Sequence, residues 1–145
     1  MNTKNRAKIE FLSISANEVF SRVCASACAS QLDPTLEEIS DIKTAVSEAV
    51  TNAIVHAYQD SQGMITMEMW FEEDKLYIRI SDKGCGIGDV DQAMQPFYST
   101  VGGEERSGMG FTVMQTFMDE VQVTSAVGEG TSVLMAKHIK SKEQE

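Results

Sequence analysis

Apolar residues recur along this chain with two different periods, and the change from one to the other divides it. From Thr35 onward, Leu36, Ile39, Val46, Val50, Ala53 and Ala57 repeat at helical spacing and predict a helix with a buried stripe. Upstream, Ile9 to Ile14 reads as a strand. Ser15 with Glu18 three residues later predicts a capping box, opening a first helix that runs to about Gln31 and is ended by Leu32-Asp33-Pro34. From Met64 the period becomes two. Met64 to Phe71 and Leu76 to Ser81 predict an antiparallel hairpin about Glu72-Glu73-Asp74, with Leu76, Ile78 and Ile80 facing the core and Tyr77 and Arg79 turned away. Val121 to Val127 and Thr131 to Ile139 predict a second hairpin about Gly128-Glu129-Gly130. Between the hairpins a glycine-rich segment without period, Asp82 to Ser107, precedes a short helix from about Gly110 to Met118. The sum is an α/β chain folded as a two-layer sandwich, a mainly antiparallel mixed sheet with helices on one face.

Length and charge change that picture only by exclusion. At 145 residues the chain fits a single domain, residues 1–145, able to bury a core without disulfide or metal. Twelve basic against twenty-two acidic side chains give a formal charge of −10, which disfavours broad binding to nucleic acid or to anionic lipid. No apolar run approaches a membrane span, and MNTKNRAKIEF lacks the apolar core of a signal peptide, so a cytoplasmic protein is expected. Cys24 and Cys28 have a spacing that could hold a metal, but no histidine stands nearby to help complete four ligands. They read as small core side chains in a reducing compartment, and the nine methionines as core filler.

Chemistry gathers in four short stretches. In SEAVTNAIVHA, Glu48 and Asn52 stand four apart and project from one helical face, nearly opposite the apolar stripe; alone, such a pair is an ordinary solvated face. SDKGCGIGD follows a predicted strand with Asp82, then Gly84, Gly86 and Gly88 at every second position, where the backbone can approach a ligand and a buried carboxylate can accept from an exocyclic amine. RSGMGF places Gly108 and Gly110 before a helix whose free N–H groups suit phosphate. Gly130-Thr131 lies in the last hairpin. A segment as long as Asp82 to Ser107 inside a compact domain is expected to be functional.

In this order the four stretches resemble the GHKL nucleotide-binding fold of gyrase, a heat-shock chaperone family, histidine kinases and MutL. LDPTLEEISDIKTAVSEAVTNAIVHAY, PFYSTVGGEERSGMGFTVMQTFMDEV and the closing KHIKSK are further similar to the serine-kinase anti-sigma factors of sporulating bacteria. Ser81 and Lys83 beside Asp82, and Val101-Gly102 in the lid that the resemblance implies at about residues 89–109, depart from that pattern, which has Arg and Glu, and Lys-Pro. The resemblance implies a homodimer that holds a sigma factor and uses ATP and Mg²⁺ to phosphorylate a serine on an anti-anti-sigma partner. It implies Glu48 as the catalytic carboxylate, Asn52 as metal ligand, Asp82 and Thr131 at the adenine amino group, and Gly84, Gly86 and Ile87 along the base. Gly108 and Gly110 are then at the phosphates, Arg106 at the γ-phosphate and Arg22 on the first helix at the protein partner. His56 reads as a structural or rim residue. Two other readings stay open: an ATPase whose acceptor is water, and a non-catalytic module that binds ATP to shape an interface.

Overall fold

The computed structural model describes residues 5–58, 61–88, 90 and 110–140. Within them the chain forms β1 (Arg6–Leu12), α1 (Ala16–Ala29), a 3₁₀ turn (Ser30–Leu32), α2 (Leu36–Asn52), a π-helical turn (Ala53–Ala57), β2 (Met64–Glu72), β3 (Lys75–Asp82), α3 (Gly110–Phe117), β4 (Glu120–Ala126) and β5 (Gly130–His138). The strands make one sheet in the order β1-β2-β3-β5-β4. Every pairing among the described strands is antiparallel, so the sheet is not mixed. The reason is the last hairpin: β5 folds back between β3 and β4, so these two strands, which share a direction, never become neighbours.

Alternation sorts the side chains of the sheet as expected. Ile9 opposes Met67, Phe11 opposes Ile65, Met67 opposes Ile80, and Ile78 is flanked by Met69 and Met135, all on the helix-facing side. Onto this layer α2 sets Ile42, Val46 and Val50, α1 sets Ala25, Cys28 and Ala29, and α3 sets Phe111 and Met114. Each large side chain buried this way contributes roughly 1.5–3 kcal/mol before entropy is set against it. Met67, Met69, Met114, Met118 and Met135 are buried as core filler, though Met64 is exposed. Cys28 is buried and Cys24 half-buried, and burial raises both thiols above the ordinary cysteine value. The opposite face of the sheet carries Trp70 stacked on Tyr77, ring centroids 5.4 Å apart, with the guanidinium groups of Arg6 and Arg79 over the indole at 4.5 and 5.1 Å.

Several local expectations are corrected. β1 ends at Leu12 rather than Ile14, because the Ile14 N–H turns back to the Leu12 carbonyl and the Ser13 N–H donates to Gly63 O across the turn. No capping box forms at Ser15. Its backbone is already helical (φ −60°, ψ −30°), its side chain makes no cap bond, and Glu18 is engaged by Arg22 one turn on. The capping box is at α2 instead: Thr35 is extended, the Glu38 N–H donates to Thr35 Oγ1 at 3.1 Å, and the Thr35 N–H donates to Glu38 Oε1 at 2.9 Å. Leu36, expected in the buried stripe, is 83% exposed, because the first helical residue precedes the turn that meets the sheet; Ala45 and Ala49 complete the stripe.

Two long-range bonds fix α2 against the end of the chain. Glu38 Oε2 accepts the Lys140 N–H at 2.8 Å. The buried Lys137 ammonium lies 3.4 Å from Asp41 and donates to Phe117 O at the end of α3. The expected lid, residues 89–109, lies outside the described residues except for Val90, and so do Arg106 and Gly108.

Candidate functional site

At one end of the sheet, Asp82, Thr131 and Ser125 stand in register across β3, β5 and β4, on the same side as the core. Asp82 Oδ1 accepts the N–H of Gly84 at 2.9 Å and that of Thr131 at 3.2 Å. Burial raises the Asp82 carboxyl above the ordinary aspartate value, with those two bonds opposing it. A half-buried carboxylate held by one oxygen leaves the other, Oδ2, available to a ligand's N–H. Ser125 was not among the residues singled out from the sequence. Counting the hairpin register back from Gly128 would have placed it opposite Thr131.

The loop after Asp82 is tied down on two sides. On one side the π turn that prolongs α2 offers Ala57 O to the Cys85 N–H at 2.9 Å, and His56 O to the Cys85 thiol at 3.2 Å. His56 itself is half-buried in that turn. Tyr58 adds a latch that the sequence did not reveal: its hydroxyl accepts the Lys83 N–H and donates to Met64 O, both at 2.8 Å. On the other side Cys85 O accepts the Gly128 N–H at 2.7 Å, and the Ile87 N–H donates to Ser125 Oγ at 2.7 Å. Gly86 makes this double attachment possible: its φ is +77°, and a Cβ there would lie 2.1 Å from Ala126 O, so no other residue fits.

Asn52, the last residue of α2, meets the start of α3. A Cβ on Gly110 would sit 2.9 Å from Asn52 Nδ2 and 3.0 Å from Oδ1, so the missing side chain is what lets the carboxamide abut the helix N-terminus. The first N–H groups of that helix have no partner within it and favour anionic ligands. The junction therefore gathers a side-chain oxygen and backbone donors, which suits a metal-bound phosphate chain. Among the described residues no group of three or more His, Cys, Asp and Glu could hold a metal alone.

One turn before Asn52, Glu48 lines a cleft of about 520 Å³ between α1 and α2, together with Arg22, Leu36, Ile39, Lys43 and Ser47. Arg22, remote in sequence from every nucleotide motif, thus shares a cavity with the candidate catalytic carboxylate. Its guanidinium is held by Glu18 on the same helix. Of the expected site residues within the described chain, Asp82, Gly84, Gly86, Ile87 and Thr131 lie at the sheet end, and Glu48 and Arg22 in the helical cleft. Asn52 and Gly110 lie where α2 meets α3.

Comparison with known proteins bears on the fold and the family. A family model described as a histidine kinase-like ATPase domain matches residues 12–137. The anti-sigma F factor of Caldanaerobacter subterraneus subsp. tengcongensis is 55% identical over 96% of this chain and 97% of its own. That of Clostridium beijerinckii is 52% identical over 92% and 94%. Among solved structures, the RsbU and RsbW domains of a Mycobacterium tuberculosis protein superpose with a TM-score of 0.66 at 16% identity, covering 93% of this chain and 32% of that one. A blue-light-activated histidine kinase domain from Erythrobacter litoralis gives 0.58 at 19%, over 85% of this chain and 60% of its own. The structural likenesses establish the fold alone. Together with the sequence relatives, they mean that the chain belongs to the histidine kinase-like ATPase domain family and, within it, groups with the anti-sigma F factors.

Proposed function

We propose that this protein is an ATP-dependent anti-sigma factor: it binds and inhibits a sporulation sigma factor, and it phosphorylates a serine on an anti-anti-sigma factor that competes for it. The observation that supports this best is the position of Glu48, which lines a cleft together with Arg22 and stands one helical turn before Asn52. A protein kinase brings an acceptor hydroxyl beside the bound nucleotide, and on α2 the carboxylate read as the base stands one turn from the residue read as the metal ligand.

The donor set suits Mg²⁺, which takes few protein ligands and completes its shell with water and phosphate oxygens. Asn52 would hold it, and bound there it would neutralise charge on the triphosphate. Asp82 Oδ2 accepts from the adenine amino group, with Thr131 beside it, while Gly84, Gly86 and Ile87 let the base lie flat on the stitched loop. Backbone N–H groups at Gly108 and Gly110 meet the phosphates, and Arg106 the γ-phosphate. Glu48 takes the proton of the serine hydroxyl as its oxygen bonds the γ-phosphorus and the bond to the β–γ bridging oxygen breaks, releasing ADP. On α1, Val19, Phe20 and Val23 are exposed beside Arg22, an apolar surface with a charge at its edge that supports a homodimer and a sigma-factor contact there.

Labelled ATP incubated with and without an anti-anti-sigma protein from the same genome tests the reading. Phosphoserine on the added protein is expected. Inorganic phosphate alone would mean a hydrolase, and unchanged ATP a binding module.

A further inference from the structure

Ser125 sits where three hydrogen bonds meet, and counting protons there fixes the direction of each. Its hydroxyl has one proton and two lone pairs. Gly130 O, 2.9 Å away, can only accept, so the Ser125 proton goes to it. The Ile87 N–H donates to Ser125 Oγ at 2.7 Å. The remaining contact, 2.8 Å to Thr131 Oγ1, must then be made with the proton of Thr131. Thr131 Oγ1 is left with lone pairs alone. Beside it, both N–H groups that reach Asp82 land on Oδ1, and Oδ2 receives none from the described residues.

We propose that Ser125 is a positioning residue that fixes the proton of Thr131 inward, so that the pocket presents two acceptors and selects a 6-aminopurine over a 6-oxopurine nucleotide. The inference rests on the ATP-binding reading and adds what determines its base selectivity. An exocyclic amino group brings two N–H donors to Asp82 Oδ2 and Thr131 Oγ1. A 6-oxo group brings lone pairs to both oxygens, and neither can answer with a proton while Asp82 is ionised. Without the Ser125 hydroxyl, Thr131 is free to turn its proton outward and accept an oxo group. A site that hydrogen-bonds a ligand N–H discriminates strongly against an analogue lacking it, because its own buried polar atoms are then unpaired.

Calorimetric titration with ADP, GDP and IDP in one buffer tests this on the unaltered chain, Ser125→Ala and Ser125→Thr. The unaltered chain should prefer ADP to both oxopurines by about a hundredfold or more. Ser125→Ala should narrow that preference by about tenfold, the factor that one hydrogen bond is worth, and Ser125→Thr should keep it. Equal loss for all three nucleotides in Ser125→Ala would reduce Ser125 to a structural strut and overturn the proposal. IDP bound as tightly as ADP by the unaltered chain would overturn it too, whether or not the alanine variant folds. If the folded, unaltered chain binds none of the three, it is the ATP reading that fails first, an outcome distinct from lost selectivity.

Discussion

Asp82 is under two opposed demands. Its burial makes the ionised form costly, yet an ionised acceptor is what an amino group needs. Because its folded pKa is raised, the folded chain holds this proton more tightly than the unfolded chain. Stability therefore falls as pH climbs from the ordinary aspartate value, about 3.9, through the raised one, and stays lower at neutral pH. Asp82→Asn keeps an oxygen for the Gly84 and Thr131 N–H groups and removes the charge. A thermal melt of the nucleotide-free variant at pH 7 should show a midpoint at or above that of the parent, while calorimetry shows ADP affinity down by roughly tenfold or more. A lower midpoint would mean that the charge is stabilising where it sits. Glu48→Gln is the complementary case: nucleotide affinity should hold, while serine phosphorylation at saturating ATP falls by about 10²–10⁴-fold, the usual contribution of a general base. Turnover near that of the parent would move the base elsewhere.

At the scale of elements, α2 organises the molecule, and its two ends do different work. The N-terminal end is closed by Thr35 and Glu38, and Glu38 also binds Lys140 near the end of the chain. Burial alone would raise the Glu38 carboxyl, but the Lys140 and Thr35 N–H groups, the Thr35 hydroxyl and the Lys137 charge bring it below the ordinary glutamate value. A lowered folded pKa means stability present above the unfolded value, about 4.3, and lost as pH falls through the folded one. Glu38→Gln should therefore cost about 1 kcal/mol at pH 7 in a urea titration, with the gap to the parent closing as pH falls through the lowered folded value. A gap independent of pH would exclude the carboxylate as its source. The C-terminal end runs into the π turn that positions Ala57 O for Cys85. Half of this was legible beforehand. Strands with one face buried alternate, so β2 and β3 could be read directly, and Glu48 and Asn52 share a helical face by spacing alone. Nothing in AIVHAY announces a widened turn, whereas Ser15 and Leu36 carried the right local signals in the wrong tertiary setting. Tyr58 and Ser125 hold the loop by accepting from backbone N–H groups 25 and 38 residues away, which no period encodes.

Across the whole molecule, the sandwich separates its two sheet faces by role. The helix-covered face ends in the row of Asp82, Thr131 and Ser125, while the other face holds Trp70, Tyr77 and the two guanidinium groups. The −10 charge of the chain adds a long-range term: association with the proposed sigma factor should gain or lose rate with salt according to that partner's own charge, whereas the half-buried row is screened less. Trp70 is the only tryptophan in the sequence. Its indole is held by a phenol ring and two cations on the side of the sheet away from Asp82, Thr131 and Ser125. Optically, this makes the chain a reporter of its own sheet and blind to its ligand. Saturating ADP should leave the emission maximum where it is, and urea should move it to the red in step with the loss of circular dichroism. A shift on adding ADP would mean that the sheet transmits binding from one face to the other. Without one, intrinsic fluorescence follows unfolding at any nucleotide concentration, and the stabilisation conferred by each nucleotide can be measured without a label.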